Sequence, residues 1–223
     1  MNLVVFDIDG TLVKYHPKRN DQAYVRAVHE TFGLTIQDSW SGYVQSTDSG
    51  IFNEIAQKQK GRNASEEESS RFKESMVKWL EVEYGREPFE PHAGAKPLWD
   101  KLLNHEDWKA AVGTGNWEFS ARFKLNSAGF AIGSVPLGSA DDGDTREKIL
   151  RSSLQKAKNL YKVHEFDKIV YVGDWIWDVR AAKALGWKFI GIAQGEQTQS
   201  LREAGAETIL PDFNEFMPHL ESM

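Results

Sequence analysis

Short apolar runs separated by amphipathic stretches fill the chain after residue 108, and one such run opens it. Leu3-Val4-Val5-Phe6 leads directly into Asp7-Ile8-Asp9-Gly10-Thr11-Leu12. A continuous run of β-branched and aromatic residues predicts a strand covered on both faces, as in parallel sheets. Comparable runs at residues 108–112, 168–172 and 188–192, and a weaker one at 131–137, bring the expected strands to about five. Helical periodicity lies between them at 93–103, 119–127, 146–160, 179–185 and 200–204. Strands alternating with helical segments predict an α/β fold, a Rossmann-like doubly wound parallel sheet.

Residues 15–85 break that alternation. They are polar, poor in Pro and helical in period, with Ala23-Val25-Val28-Phe32 and Phe72-Met76-Trp79-Leu80 as apolar stripes. The pattern predicts an inserted α-helical module, 15–85, within a core formed by 1–14 and 86–223. Glu66-Glu67-Glu68 after Ser65 fits the acidic first turn of a helix, which the macrodipole favours. Pro88-Phe89-Glu90-Pro91-His92 marks the return to the core.

Composition narrows the chemistry. The 223-residue chain has no Cys, which removes disulfides, thiolate nucleophiles and Cys-bound metals. Any metal must then be held by oxygen or imidazole, and hard cations are the default. A net charge of −6 without a Lys/Arg-rich run argues against a nucleic-acid surface. No stretch approaches the ~20 apolar residues that span a bilayer, and residues 3–6 are too short for a signal peptide. The expectation is a cytoplasmic protein with no nucleic-acid or membrane partner, as monomer or homodimer. The six His have no ligand spacing and receive no catalytic assignment.

Three strand ends carry polar groups suited to one small anion. Asp7 and Asp9, two apart on an extended chain, point the same way, although a strand end followed by an Asp-Gly turn fits them too. The second strand ends in Gly113-Thr114-Gly115-Asn116, where a hydroxyl and free amides at a helix start can bind an anion or simply form a turn. The fourth ends in Gly173-Asp174-Trp175-Ile176-Trp177-Asp178. If a helix starts near Asp174, the spacing of four puts both carboxylates on one face at its N-terminus, a geometry suited to a hydrated divalent ion. Helix capping by Asp174 with a surface Asp178 is the alternative. Oxygen ligands with open positions suit Mg²⁺ shared with a substrate phosphate.

Taken together, these segments resemble the haloacid dehalogenase (HAD) superfamily. Asp7-Ile8-Asp9-Gly10-Thr11 resembles its first motif, Thr114 its second, and Gly173-Asp174 with Asp178 its fourth. The third, a Lys or Arg, is matched best by Arg146 in Asp144-Thr145-Arg146-Glu147-Lys148, with Lys148 and Lys124 as alternatives. Thr114-Gly115-Asn116 followed by Ala121 and Lys124-Leu125, and Ala204-Gly205-Ala206 further on, are similar to the phosphoglycolate-phosphatase-like branch, whose helical cap follows the first motif. Within the insert, Ser46-Thr47-Asp48-Ser49-Gly50-Ile51 resembles a cap loop that meets substrate, though Thr47-Asp48 equally fits a helix cap.

The resemblance implies Mg²⁺-dependent hydrolysis of a small phosphomonoester, phosphoglycolate-like or a nucleotide, through an aspartyl-phosphate on Asp7. Asp9 then serves as acid and base, and its main-chain carbonyl joins Asp7 and Asp174 at the metal. Asp178 touches the ion or supports a residue that does. Thr114, Gly115, Asn116 and Arg146 bind the phosphoryl group, and Thr47 and Asp48 meet the substrate from the cap. Dehalogenases of the superfamily lack the second Asp, so Asp9 points to phosphate esters. A sugar phosphomutase and a catalytically idle phosphate-binding module are the alternatives. Trp175, where relatives carry a small residue, lines the pocket or turns into the core, and the same choice stands for Trp177, Trp40, Tyr43 and Trp117.

Overall fold

A computed structural model of the chain describes residues 1–37, 40, 42–85 and 87–222, with the backbone alone for 17–20. Its elements run β1 (Asn2–Phe6), α1 (Pro17–Phe32), α2 (Asp48–Lys60), α3 (Glu66–Tyr84), α4 (Ala95–Leu103), β2 (Trp108–Gly113), α5 (Glu118–Ser127), β3 (Leu137–Gly138), α6 (Arg146–Tyr161), β4 (Ile169–Gly173), α7 (Ile176–Leu185), β5 (Lys188–Ile192), α8 (Glu196–Ala204), β6 (Thr208–Leu210) and α9 (Phe216–Ser222).

All paired strands are parallel, in the order β3-β2-β1-β4-β5-β6. The chain works outward from β1 through β2 to β3 and then returns to lay β4 on the other side of β1. Strand order therefore reverses between β1 and β4, where the crevice at the carboxyl ends of an open sheet accepts ligands. Both carboxylate-bearing strand ends flank that crevice.

Burial follows the two-residue period of a strand. Val4 and Phe6 join the layer that holds Trp99, Phe213 and Phe216, whereas Leu3 and Val5 meet Leu150, Ala157, Phe166 and Ala181 on the opposite face. The four apolar side chains of β1, Leu3 to Phe6, are fully buried, each stabilising the fold by about 1.5–3 kcal/mol. That anchors the backbone from which Asp7 projects.

Between β1 and α4 the chain makes the three helices α1–α3, with α1 packed on α3. An aromatic cluster of Tyr24, Phe52 and Phe72 fills their interior. Ser65 accepts the Glu68 amide while the Glu68 carboxylate takes the Ser65 amide, a capping box at the acidic turn expected there. The two connections run side by side: Val13 bridges Pro91 in antiparallel fashion, and Lys14 and His92 donate to the Glu90 and Leu12 carbonyls at 2.8 and 2.9 Å. Residue 86, where the expected boundary falls, lies outside the described residues.

Three expectations need correction. The weak run at 131–137 is strand only at Leu137–Gly138. A turn at Gly133, with Val135 donating to the Ile132 carbonyl, and a Pro136 that has no N–H to give keep the earlier residues out of the ladder, while Ile132 is buried without being a strand. A sixth strand, β6, pairs with β5 through three residues, too few for a periodic signal. Finally, α7 starts at Ile176, so Asp174 precedes the helix and does not share its face with Asp178.

Candidate active site

The loop after β1 turns sharply at Gly10, whose φ of +77° is open to glycine and strained for other residues. A Cβ there would stand 2.1 Å from Asp174 Oδ2, so the turn lets the loop after β4 approach. Thr11 Oγ1 donates to Asp174 Oδ1 at 3.3 Å, and Gln197, in the first turn of α8, donates to Asp174 Oδ2 at 2.9 Å. Asp178 is the third residue of α7; it accepts the Trp175 amide at 3.1 Å and the Tyr171 hydroxyl at 2.9 Å, and is fully buried. The surface Asp178 of the capping alternative is thereby excluded.

One oxygen each from Asp7, Asp174 and Asp178 lies within 4.8 Å of the others. Burial, followed by the neighbouring carboxylates, pushes Asp174 well above the usual carboxylate range. Asp7 rises to about 7, driven first by burial and opposed by Arg146. Three acids sharing this little space, Asp7 and Asp178 buried and Asp174 half-buried, are short of positive charge, and an oxygen-ligated divalent cation would supply what is missing. The donor set therefore fits Mg²⁺. The Asp9 carboxylate is not one of these three, although its charge adds to the rise of Asp7 and Asp174.

Arg146, the first residue of α6, is buried and places Nη1 3.1 Å from Asp7 Oδ1 and Nε 3.5 Å from Asp178 Oδ1. Burial works against its charge, yet Tyr171, Asp7 and Asp178 raise its pKa further above the guanidinium value. Lys148 points elsewhere, exposed and paired with Asp144 at 2.7 Å. Lys124 is buried and reaches Asp9 rather than Asp7, its Nζ 2.5 Å from Asp9 Oδ2. The two cations thus serve different acids.

Thr114 is fully buried at the end of β2. Its Oγ1 accepts from the Asn116 side-chain amide at 2.9 Å and from the Asn116 main chain at 3.3 Å, which leaves the hydroxyl proton to give. Asn116 Nδ2 also donates to Asp9 Oδ2 at 2.7 Å.

Thr47 and Asp48 are engaged with core backbone. Thr47 Oγ1 donates to the Asp144 carbonyl at 2.7 Å, the Asp48 amide donates to the Gly115 carbonyl at 2.8 Å, and the Asp48 carboxylate accepts the Trp117 amide at 2.9 Å. Asp48 thereby caps α5, an acid placed where the helix dipole favours it, although burial pushes its carboxyl up to about 6. Ser49 adds a bond to the Gly143 carbonyl, and Lys73 of α3 pairs with Asp141 and lies 4.1 Å over the Trp117 ring. These contacts tie the helical insert to the loops that carry Thr114 and Arg146.

The aromatic residues divide. Trp117 is buried, and Trp40 packs edge-on against Tyr24 while donating to Asp21 at 2.8 Å, a role inside the insert. Tyr43 packs beside Trp40. Trp175 is 42% exposed and leans on Trp177 at 5.4 Å, bordering a cleft of about 360 Å³ shared with Asp174, Arg180 and Gln197. Sequence reasoning missed Gln197 and Tyr171, since a lone Gln in a polar helix and a Tyr in an apolar strand give no signal. It also missed the pairing of Lys124 with Asp9, although it had marked both residues.

No curated protein sequence matches the chain. Solved structures do match in fold. A hydrolase from Pseudomonas syringae shares 20% identity at a TM-score of 0.71, covering 100% of this chain and 98% of that one. A candidate beta-phosphoglucomutase from Bacteroides vulgatus has 20% identity and a TM-score of 0.69, covering 100% and 89%. A predicted phosphoglycolate phosphatase from Haemophilus somnus 129pt has 16% identity and a TM-score of 0.59, covering 98% and 97%. The model of a hydrolase family matches residues 1–186, and with the carboxylates, Thr and Arg of that segment gathered at the switch point of the sheet, the chain belongs to the haloacid dehalogenase-like hydrolases.

Proposed function

We propose that the protein is a Mg²⁺-dependent phosphomonoester hydrolase acting on a small phosphorylated metabolite, with core 1–14 and 86–223 and cap 15–85. The observation that carries this reading is Asp7 clustered with Asp174 and Asp178 and paired with Arg146, while Asp9 is held by a different cation, Lys124. Two acids in different surroundings suit two different roles.

In this reading Asp7 attacks phosphorus, its oxygen forming a bond as the ester P–O bond breaks, and the aspartyl-phosphate divides one difficult displacement into two. Asp9 gives its proton to the departing oxygen, then takes one from the water that attacks phosphorus and releases phosphate. The Thr114 hydroxyl donates to a phosphoryl oxygen, with the Gly115 and Asn116 segment alongside, and Arg146 holds Asp7 and offsets charge on the transferring group. Mg²⁺, held by Asp7, Asp174 and the Asp9 carbonyl with Asp178 beside them, would neutralise the repulsion between the carboxylate and the phosphate oxygens. Thr47, Asp48 and Ser49 fasten the cap over these loops, which keeps bulk water from the site.

The deciding experiment is a phosphate-release screen with Mg²⁺ over phosphoglycolate, sugar phosphates, nucleotides and pyrophosphate, using Asp7→Asn as the blank. Release that needs Mg²⁺, stops with EDTA and is absent from the blank supports the reading; a silent panel sinks it in favour of a binding module. Turnover that requires a catalytic sugar bisphosphate would replace hydrolysis with mutase transfer.

A further inference from the structure

Lys124 sits in the second turn of α5 and is only 4% exposed, an unusual place for an ammonium group. Burial of this kind persists only where the charge is paired and its protons are taken up. Here Nζ donates to Asp9 Oδ2 at 2.5 Å and to Asn116 Oδ1 at 2.7 Å. Asn116 in turn donates through Nδ2 to the same Asp9 oxygen at 2.7 Å and to Thr114 Oγ1 at 2.9 Å. The four side chains form one connected network. Two donors meet on a single oxygen of Asp9, and each donor is itself fixed by the other through the Asn116 amide. The Phe89 ring, 6.0 Å from Nζ and stacked on Tyr84 where the chain returns from the cap, walls off one side.

We propose that Lys124 is a positioning residue for Asp9: with Asn116 it locks the Asp9 carboxyl group in the orientation that serves the leaving oxygen. The proposal rests on the acid/base reading of Asp9 given above. Proton transfer needs heavy atoms about 2.6–3.2 Å apart, and two donors fixed on one oxygen of Asp9 help to hold that tolerance. A side chain that merely balanced charge would need one contact to Asp9. The shared grip through Asn116 instead ties the orientation of Asp9 to the Thr114 hydroxyl, so the groups that meet the leaving oxygen and the phosphoryl oxygen are set by one network. Arg146 is the cation of Asp7, and Lys124 is its counterpart for Asp9.

The test compares esters that differ in their need for a proton. As the P–O bond breaks, an alkoxide must take the Asp9 proton with its new electron pair, whereas p-nitrophenolate departs without one. Rates with Mg²⁺ are measured on glycerol 2-phosphate, phenyl phosphate and p-nitrophenyl phosphate for the wild type, Lys124→Met, Lys124→Arg, Asp9→Asn and the double variant Asp9→Asn/Lys124→Met. Asp9→Asn is expected to lose about 10²–10⁴-fold in kcat on the poorer leaving groups and far less on p-nitrophenyl phosphate. Lys124→Met should show the same leaving-group dependence with KM little changed, Lys124→Arg should regain part of it, and the double variant should be no slower than Asp9→Asn.

Equal losses on all esters for Lys124→Met, or multiplying losses in the double variant, overturn the proposal while leaving the role of Asp9 standing. Equal losses for Asp9→Asn overturn the acid reading and the proposal with it, as does a wild type silent on every ester. If Lys124→Met does not fold by circular dichroism, Asn116→Ala carries the test, since it removes one donor to Asp9 and one acceptor of Lys124. Its effect on phosphate binding through Thr114 cancels in the ratio between esters.

Discussion

Asp7 and Arg146 show how much a single side chain can decide. Both are buried, 3.1 Å apart, and each would be costly alone. Asp7→Asn keeps the shape of the side chain and removes the proposed nucleophile. Turnover in a phosphate-release assay should fall by about 10⁴-fold or more, with the melting temperature unchanged or raised, because a buried charge next to other acids has gone. The two basic residues two apart on α6 should separate cleanly. Arg146→Ala should cut kcat by about 10²–10³-fold through loss of the charge facing Asp7. Lys148→Ala should stay within about twofold, since its exposed pair with Asp144 is the kind that contributes about 0.3–0.5 kcal/mol.

Helix starts organise the site at the next scale. α5, α6 and α7 begin five, eight and three residues after the ends of β2, β3 and β4, and each carries a charged group at its start: the Asp48 cap on α5, Arg146 at the first position of α6, and Asp178 in the first turn of α7. Asp178 was marked in the sequence through its spacing from Asp174, but that spacing works for a different reason than one shared helix face. Asp174 lies in the loop and is drawn in by Gln197, while Asp178 folds back onto the Trp175 amide, so loop and helix deliver the two carboxylates from different directions. At the start of α2 the cap meets the core so closely that a Cβ on Gly115 would stand 2.7 Å from the Ser46 carbonyl oxygen. Gly115→Ala must push that contact apart. It should cost about 1–3 kcal/mol in denaturant unfolding, and kcat and KM should change together because the cap no longer seats on the Thr114 loop.

For the whole molecule, the cluster of acids makes stability depend on pH and, if Mg²⁺ sits there as proposed, on metal. The folded pKa of Asp7, about 7, lies above its unfolded value of 3.8, so the folded protein holds the extra proton between those limits. Without metal, that contribution favours folding below about pH 4 and is lost progressively as pH rises towards 7. In the proposed reading Mg²⁺ competes with the same proton for the same carboxylates. The rise in melting temperature on adding Mg²⁺ to EDTA-treated protein should therefore be larger at pH 8 than at pH 5, read by differential scanning calorimetry. A gain that is the same at both pH values, or larger at pH 5, would contradict a metal seated on Asp7 and Asp174.

Much of this was legible from the chain. The buried run Leu3–Phe6 ending in Asp7-Ile8-Asp9-Gly10-Thr11 marks a strand and its loop because apolar continuity, acidic residues and a glycine turn are local properties. The apolar stripe Phe72-Met76-Trp79-Leu80 and the acidic turn after Ser65 likewise place α3 without any knowledge of neighbours. Edge strands β3 and β6 were not legible in the same way, since two and three residues acquire strand geometry from the partner beside them rather than from their own pattern. The types of residue at the site, carboxylates, a Thr and a cation, were thus set by the sequence alone. Tertiary structure decided who pairs with whom: Arg146 with Asp7, Lys124 with Asp9, Gln197 with Asp174, and Thr47 and Asp48 with core backbone. Those pairings join residues 23 to 139 positions apart, and only the packing of parallel strands and their crossover helices brings such distant groups within a hydrogen bond of one another.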